Sequence, residues 1–185
     1  MKIQLSENER MVYDVVREYL DNNRIFEFEK VSNFIQARFR LASININNEG
    51  IEKHLTTLVE KKILVPNSKL TRDMVFYNQN RNSIYNFIKK NPGVYLSKIM
   101  SELGLSINTI VWHITILENF NFIASDQIDN RIIFFDSTLE LNKVKIYYFT
   151  SHDTSKKILQ YLKINDFLIF SILNLNDLKL FCQFI

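Results

Sequence analysis

Leu103-Gly104-Leu105-Ser106-Ile107-Asn108-Thr109-Ile110-Val111-Trp112-His113-Ile114-Thr115-Ile116-Leu117-Glu118-Asn119-Phe120-Asn121-Phe122-Ile123 is the stretch whose reading decides the fold. Gly104 falls where a helix ends in the left-handed conformation, which glycine enters without a Cβ clash. Two residues later Ser106 is a helix cap: its hydroxyl can accept one of the orphan amides of the first turn. Ile107, Ile110, Ile114 and Leu117 then repeat at helical spacing and predict a helix over 107–119 with one inward stripe. Upstream, Ser97 is read as the cap of a helix over 97–103 with Ile99, Met100 and Leu103 inward. Two short helices joined by a tight glycine turn have the spacing of a helix-turn-helix.

The flanks complete the unit. Asn82-Ser83 precedes Ile84, Phe87 and Ile88 at helical spacing, and Asn91-Pro92-Gly93 stops that helix. Val94-Tyr95-Leu96 is a short β-type run. After the third helix, residues 122–125 and 131–135 are β-rich and enclose an Asp129-Asn130 turn signal. A two-stranded ribbon directly after the second helix of a helix-turn-helix is a wing, so residues 81–136 form a predicted winged helix-turn-helix domain.

A second copy precedes it. Residues 51–64 can be laid on 110–123 at a constant offset of 59, which puts His54 on His113, Leu55 on Ile114, Leu58 on Leu117 and Ile63 on Phe122. Ser6 and Glu9 form a capping box for a helix running to Leu20, with Val12, Val15, Val16 and Tyr19 inward. A second helix is expected over 28–40, and Asn47 or Asn48 caps the third. The wing signal is poor here: residues 70–77 read as a connecting helix or an extended linker. An internal repeat of this kind predicts tandem winged helices, with residues 1–80 as the first domain. Residues 137–185 open like a third copy at 155–163 but continue into an apolar run over 167–185. That run holds no glycine turn and no second cap, and reads as a truncated repeat or a dimerisation element. The expected class is mainly α with small β wings (α+β).

Composition bounds what such a chain does. Its 185 residues include three glycines and two prolines, so long irregular loops are scarce and helices dominate. Net charge is only +3, and no segment is a basic arm: residues 1–80 carry 12 cations against 11 anions, 81–136 carry 5 against 5, and 137–185 carry 6 against 4. Nucleic-acid affinity would have to come from local clustering or from two copies. The single cysteine, Cys182, excludes an intrachain disulfide and fits a reducing cytoplasm. The first seven residues lack a signal-peptide run, and no apolar stretch reaches the roughly 20 residues of a membrane span. No membrane association is expected.

The residues from Leu103 to Ile123 resemble winged-helix transcriptional regulators of the ArsR/MarR-like superfamily in their archaeal form. There a Leu-Gly-Leu-Ser turn leads into Thr-Val-x-x-His-Leu-x-x-Leu-Glu and then a β-strand, and the likeness covers about 55 residues. It implies a sequence-specific transcriptional regulator of double-stranded DNA with no catalytic activity and no cofactor. The second helix of the turn would present Ser106, Asn108, Thr109, Val111, Trp112 and Thr115 to the major groove. Arg131 in the wing would meet phosphate or the minor groove. Lys53, Arg38 and Arg40 of the first unit would add phosphate-binding charge. Homodimerisation is expected through residues 137–185. The recognition helix carries no Arg or Lys, and its Val111/Trp112 face is apolar. That favours an alternative: a protein-interaction scaffold, as in the tandem winged helices of ESCRT-II subunits.

No catalytic signature is present: there is no glycine-rich phosphate loop, no Cys-x-x-Cys, no His-Glu-x-x-His and no Gly-x-Ser-x-Gly. His54, His113, His152 and Cys182 are too dispersed to read as a metal site, and His113 is expected to brace its helix against its neighbours.

Overall fold

In the computed structural model, residues 4–128, 130–151 and 153–164 are described. The chain opens with the expected capping box. Ser6 caps α1 (Glu7–Asn22), accepting from the Glu9 amide at 3.3 Å while the Glu9 carboxylate accepts from the Ser6 amide at 2.8 Å. Helices α2 (Phe28–Leu41) and α3 (Asn48–Glu60) complete a three-helix unit, with Asn47 as the side-chain cap of α3. Its core gathers Val12, Val16, Phe26, Val31, Ile35, Phe39, Ile51, Leu55 and Leu58. Val15 is only partly buried.

The second unit repeats this with α4 (Gln79–Lys90), α5 (Leu96–Leu103) and α6 (Ile107–Asn119). The internal repeat extends to the backbone. Helices α3 and α6 begin and end at an offset of 59 residues. Their closing turns match bond for bond. Lys62 and Asn121 both take positive φ, 55° and 54°. The Ile63 amide donates to Leu58 at 2.9 Å, as the Phe122 amide does to Leu117 at 2.9 Å.

The units diverge after those turns. In the second, β2 (Ile123–Ile128) and β3 (Arg131–Asp136) form an antiparallel hairpin, and β1 (Val94–Tyr95) adds to the far edge of β3, giving the order β1-β3-β2. In the first, the chain makes one bridge, Leu64 to Thr71, and Phe26 exchanges backbone bonds with Asn67 and Ser68. Of the two readings of residues 70–77, the connecting helix is the one present: a 3-10 helix (Arg72–Tyr77) joins the units. The Arg72 guanidinium donates to the Phe120 carbonyl and lies 4.0 Å from the Phe122 ring centroid, while Val75 is buried in the second core. The class is α+β: mostly helical, with one small antiparallel sheet.

Three expectations need correction. Helix α4 starts at Gln79, not after Ser83; Asn78 is its cap and accepts from the Arg81 amide at 3.0 Å. Helix α5 starts at Leu96, so Ser97 lies inside it, and its cap Tyr95 makes no side-chain bond. Ile107 is not inward but 48% exposed, because at the first position of α6 the apolar stripe runs past the helices that cover the rest of it.

The residues after the wing form α7 (Leu141–Ser151) and α8 (Asp153–Ile164). Val144 and Tyr148, one turn apart on α7, pack with Ile128, Ile133 and Phe135. Helix α7 thus covers the sheet face turned away from the α4–α6 core, which explains why β3 is buried from Ile133 to Asp136 without alternation. Residues 167–185, expected to dimerise, lie outside the described residues.

Candidate nucleic-acid interface

The helix-turn-helix is built as its cap chemistry requires. Gly104 closes α5 with φ 63° and ψ 23°, donating its amide to the Met100 carbonyl. Ser106 then caps α6, accepting from the Thr109 amide at 3.3 Å, with its hydroxyl 2.8 Å from that of Thr109. Between α5 and α6 the chain bends by 115°, within the usual range for this motif. Among the described residues no single helix is long and apolar enough to cross a membrane.

Helix α6 buries Ile110, His113, Ile114 and Leu117 and turns its other face to solvent. That face holds Ser106, Ile107, Asn108, Val111, Trp112, Thr115 and Asn119. Val111 is 45% and Trp112 58% exposed. Thr109 is half-buried. The Thr115 hydroxyl donates to the Val111 carbonyl at 2.9 Å, so its methyl is what the side chain offers a partner. Of the second-unit candidates on and before α6, Ser106, Asn108, Val111, Trp112 and Thr115 thus fall on one face, and Thr109 lies at its edge. Arg131 is exposed at the start of β3, stacked over the Tyr95 ring at 4.8 Å. Beside it Ile132 is exposed too.

Two buried basic groups lie beneath this face. Arg81 on α4 is 3% exposed; its Nε donates to the Val75 carbonyl at 2.5 Å, and its guanidinium carbon is 6.0 Å from the Trp112 ring centroid. Its Nη1 makes no hydrogen bond, and no carboxylate pairs with it among the described residues. His113 is 2% exposed and its Nδ1 has no partner. Burial, and then the charge of Arg81, lower its pKa below the ordinary 6.5, so the ring is neutral at neutral pH. His113 therefore braces α6 as expected; His54 is half-buried. Behind the hairpin, the Tyr85 hydroxyl donates to Asp136 at 2.9 Å. Burial and that bond push Tyr85 up to about 12.

The first-unit candidates sit apart in character. Arg38 pairs with Glu18 and leans on the Phe34 ring at 5.4 Å, so part of its charge is spent. Arg40 and Lys53 are exposed. Lys53 shares the solvent face of α3 with Glu49, Glu52, Thr56 and Glu60. Sequence reasoning missed Ile107, Asn119 and Ile132 as exposed residues of the face, and Arg81 as the charge beneath it. The signal for Arg81 was the Asn78 cap three residues upstream, which moves the helix start.

The glycine-turned helix pair, the exposed second helix and the hairpin that follows define a winged helix-turn-helix protein. Over 93 residues, half of this chain, it is 33% identical to an uncharacterized HTH-type transcriptional regulator of Methanocaldococcus jannaschii. The chain covers about a quarter (24%) of that relative's length. No family model matches the chain. No solved structure matches it.

Proposed function

We propose that the chain is a cytoplasmic, non-catalytic transcriptional regulator, ArsR/MarR-like in its second unit, that docks α6 in the major groove of double-stranded DNA. The exposed, uncharged stripe from Ser106 to Thr115, placed on the second helix of a helix-turn-helix and followed by a hairpin, carries this reading. Helices in this position meet base edges with their first turns. Asn108 and Thr109 supply polar contacts there, and Arg131 lies where a wing meets phosphate. In the tandem arrangement, Arg40, Lys53 and the part-neutralised Arg38 are the phosphate contacts of the first unit. The relative named as a regulator supports the same reading.

The protein acts as a homodimer through residues 137–185. Leu141, Ile146 and Phe149 of α7 and Ile158 and Tyr161 of α8 are large apolar groups left at the surface, which a second protomer would cover. The exposed Val111 and Trp112 favour a second reading, a protein-interaction scaffold.

A salt titration of duplex binding separates the two. Phosphate neutralisation supplies most non-specific affinity, and the few basic residues placed at the interface, Arg131, Arg40, Lys53 and the paired Arg38, predict a shallow slope, on the order of 3–6 ions released per dimer. Absence of binding to any duplex at low salt, or salt-independent binding, overturns the regulator reading.

A further inference from the structure

We infer that α6 reads A·T base pairs, chiefly through the methyl groups of thymine. This rests on the docking of α6 proposed above and names the class of sequence it takes.

In the major groove guanine presents two acceptors, N7 and O6, and is met most often by arginine or lysine. Between Gly104 and Asn119 there is neither. Cytosine presents an amino donor and is met by a carboxylate. The first carboxylate on α6 is Glu118, at the far end of the helix and engaged by the Ser125 hydroxyl at 2.6 Å. Thymine presents a methyl group and adenine a donor–acceptor pair that an asparagine amide matches. Ile107, Val111 and Thr115 form a row at i, i+4 and i+8, one branched side chain per turn, with Trp112 beside it and Asn108 in the first turn. The exposed groups of α6 therefore match both partners of an A·T pair and lack the Arg, Lys or carboxylate that most often meets a G·C pair.

Charge points to the same occupant. The groove-facing stretch of α6 carries no carboxylate to repel phosphate, and Arg81 sits under Trp112 without an anionic partner among the described residues. A duplex supplies the counter-charge on its backbone and the apolar contact on its thymines.

The test uses the full chain and a duplex library with a randomised core, selected at low salt. The selected cores should be A·T-rich. In a selected duplex, replacing contacted thymidines one at a time by 2′-deoxyuridine removes only the methyl, and each replacement should weaken binding about two- to fourfold. Val111 is exposed, so Val111→Ser should fold normally and lose that sensitivity at its own position. G·C-rich cores, or binding unchanged by uracil at every position, would overturn the inference while leaving DNA binding intact. Absence of binding to any library member would overturn both, and would point the apolar face of α6 to a protein partner.

Discussion

Helices α3 and α6 occupy the same place in two units and correspond residue for residue at an offset of 59, yet their outward faces have little in common. Where α3 shows Glu49, Glu52, Lys53, Thr56 and Glu60, α6 shows Asn108, Val111, Trp112, Thr115 and Asn119. The inward positions agree: Ile51, Leu55 and Leu58 against Ile110, Ile114 and Leu117, all buried. Burial constrains the inner stripe, since each unit needs it to close a core. The outer stripe is free to differ, and its difference is where function separates. Three carboxylates make α3 a poor guest for the groove itself, where Lys53 is left to meet only flanking phosphate. Helix α6 has none before Glu118 and is followed by a hairpin that α3 lacks.

The largest effects should come from the shared core. Leu58→Ala and Leu117→Ala remove equivalent, fully buried side chains, and each should cost about 2–5 kcal/mol. Trp112, the single tryptophan, reports on the second unit by fluorescence. Because Arg72 bonds to Phe120 and Val75 sits in the second core, Leu58→Ala should also lower the denaturation midpoint seen by Trp112. An unchanged midpoint would show that the two units unfold independently.

The turn before α3, residues 42–47, is longer than the turn before α6, residues 104–106, and a different residue type takes the left-handed position in each. Gly104 has φ 63° and open space where a Cβ would stand, so Gly104→Ala should lose about 1–2 kcal/mol from conformation alone. After α2 the first unit places Ser43, with φ 54°, in the same left-handed region. Ser43→Gly should be neutral or stabilise by up to about 1 kcal/mol. Thermal melts of both variants check the signs.

Acid should separate the units by smaller steps. His113 has a lowered pKa when folded, so below pH 6.5 the unfolded chain binds the extra proton and stability falls as pH falls. Glu9 follows the same sign in a lower window. The Lys61 ammonium at 2.7 Å, then the Ser6 amide, hold its carboxyl below the ordinary 4.5, and the stability they contribute is lost as pH drops through that depressed value. Chemical denaturation across this range should show His113→Gln flattening the upper step and Lys61→Met the lower one.

Much of this was legible where local chemistry is strong. The Gly104 turn, the Ser106 cap, the capping box of Ser6 and Glu9 and the 59-residue repeat all rest on contacts between near neighbours in sequence. Helix α7 was not legible. It buries only Val144 and Tyr148 fully, and its partners on the sheet are set by the tertiary fold. The start of α4 was hidden because a charged residue, Arg81, takes an inward position that a hydrophobic pattern does not register. On the interface, the exposed polar positions of α6 could be read in advance. Ile107 could not, because an apolar residue on the stripe gives no sign that its neighbours stop short of it.

The central claim is that α6, and not α3, enters the groove, and one matched pair of variants tests it most directly. Thr56 and Thr115 are exposed and related by the 59-residue offset, so Thr56→Glu and Thr115→Glu place the same carboxylate at equivalent points of the two helices. Fluorescence anisotropy with a selected duplex at fixed low salt should show Thr115→Glu weakening binding by at least about tenfold and Thr56→Glu by about twofold or less, since only the first puts a charge against a groove wall. Equal losses would mean both helices dock. A large loss from Thr56→Glu with none from Thr115→Glu would contradict the account.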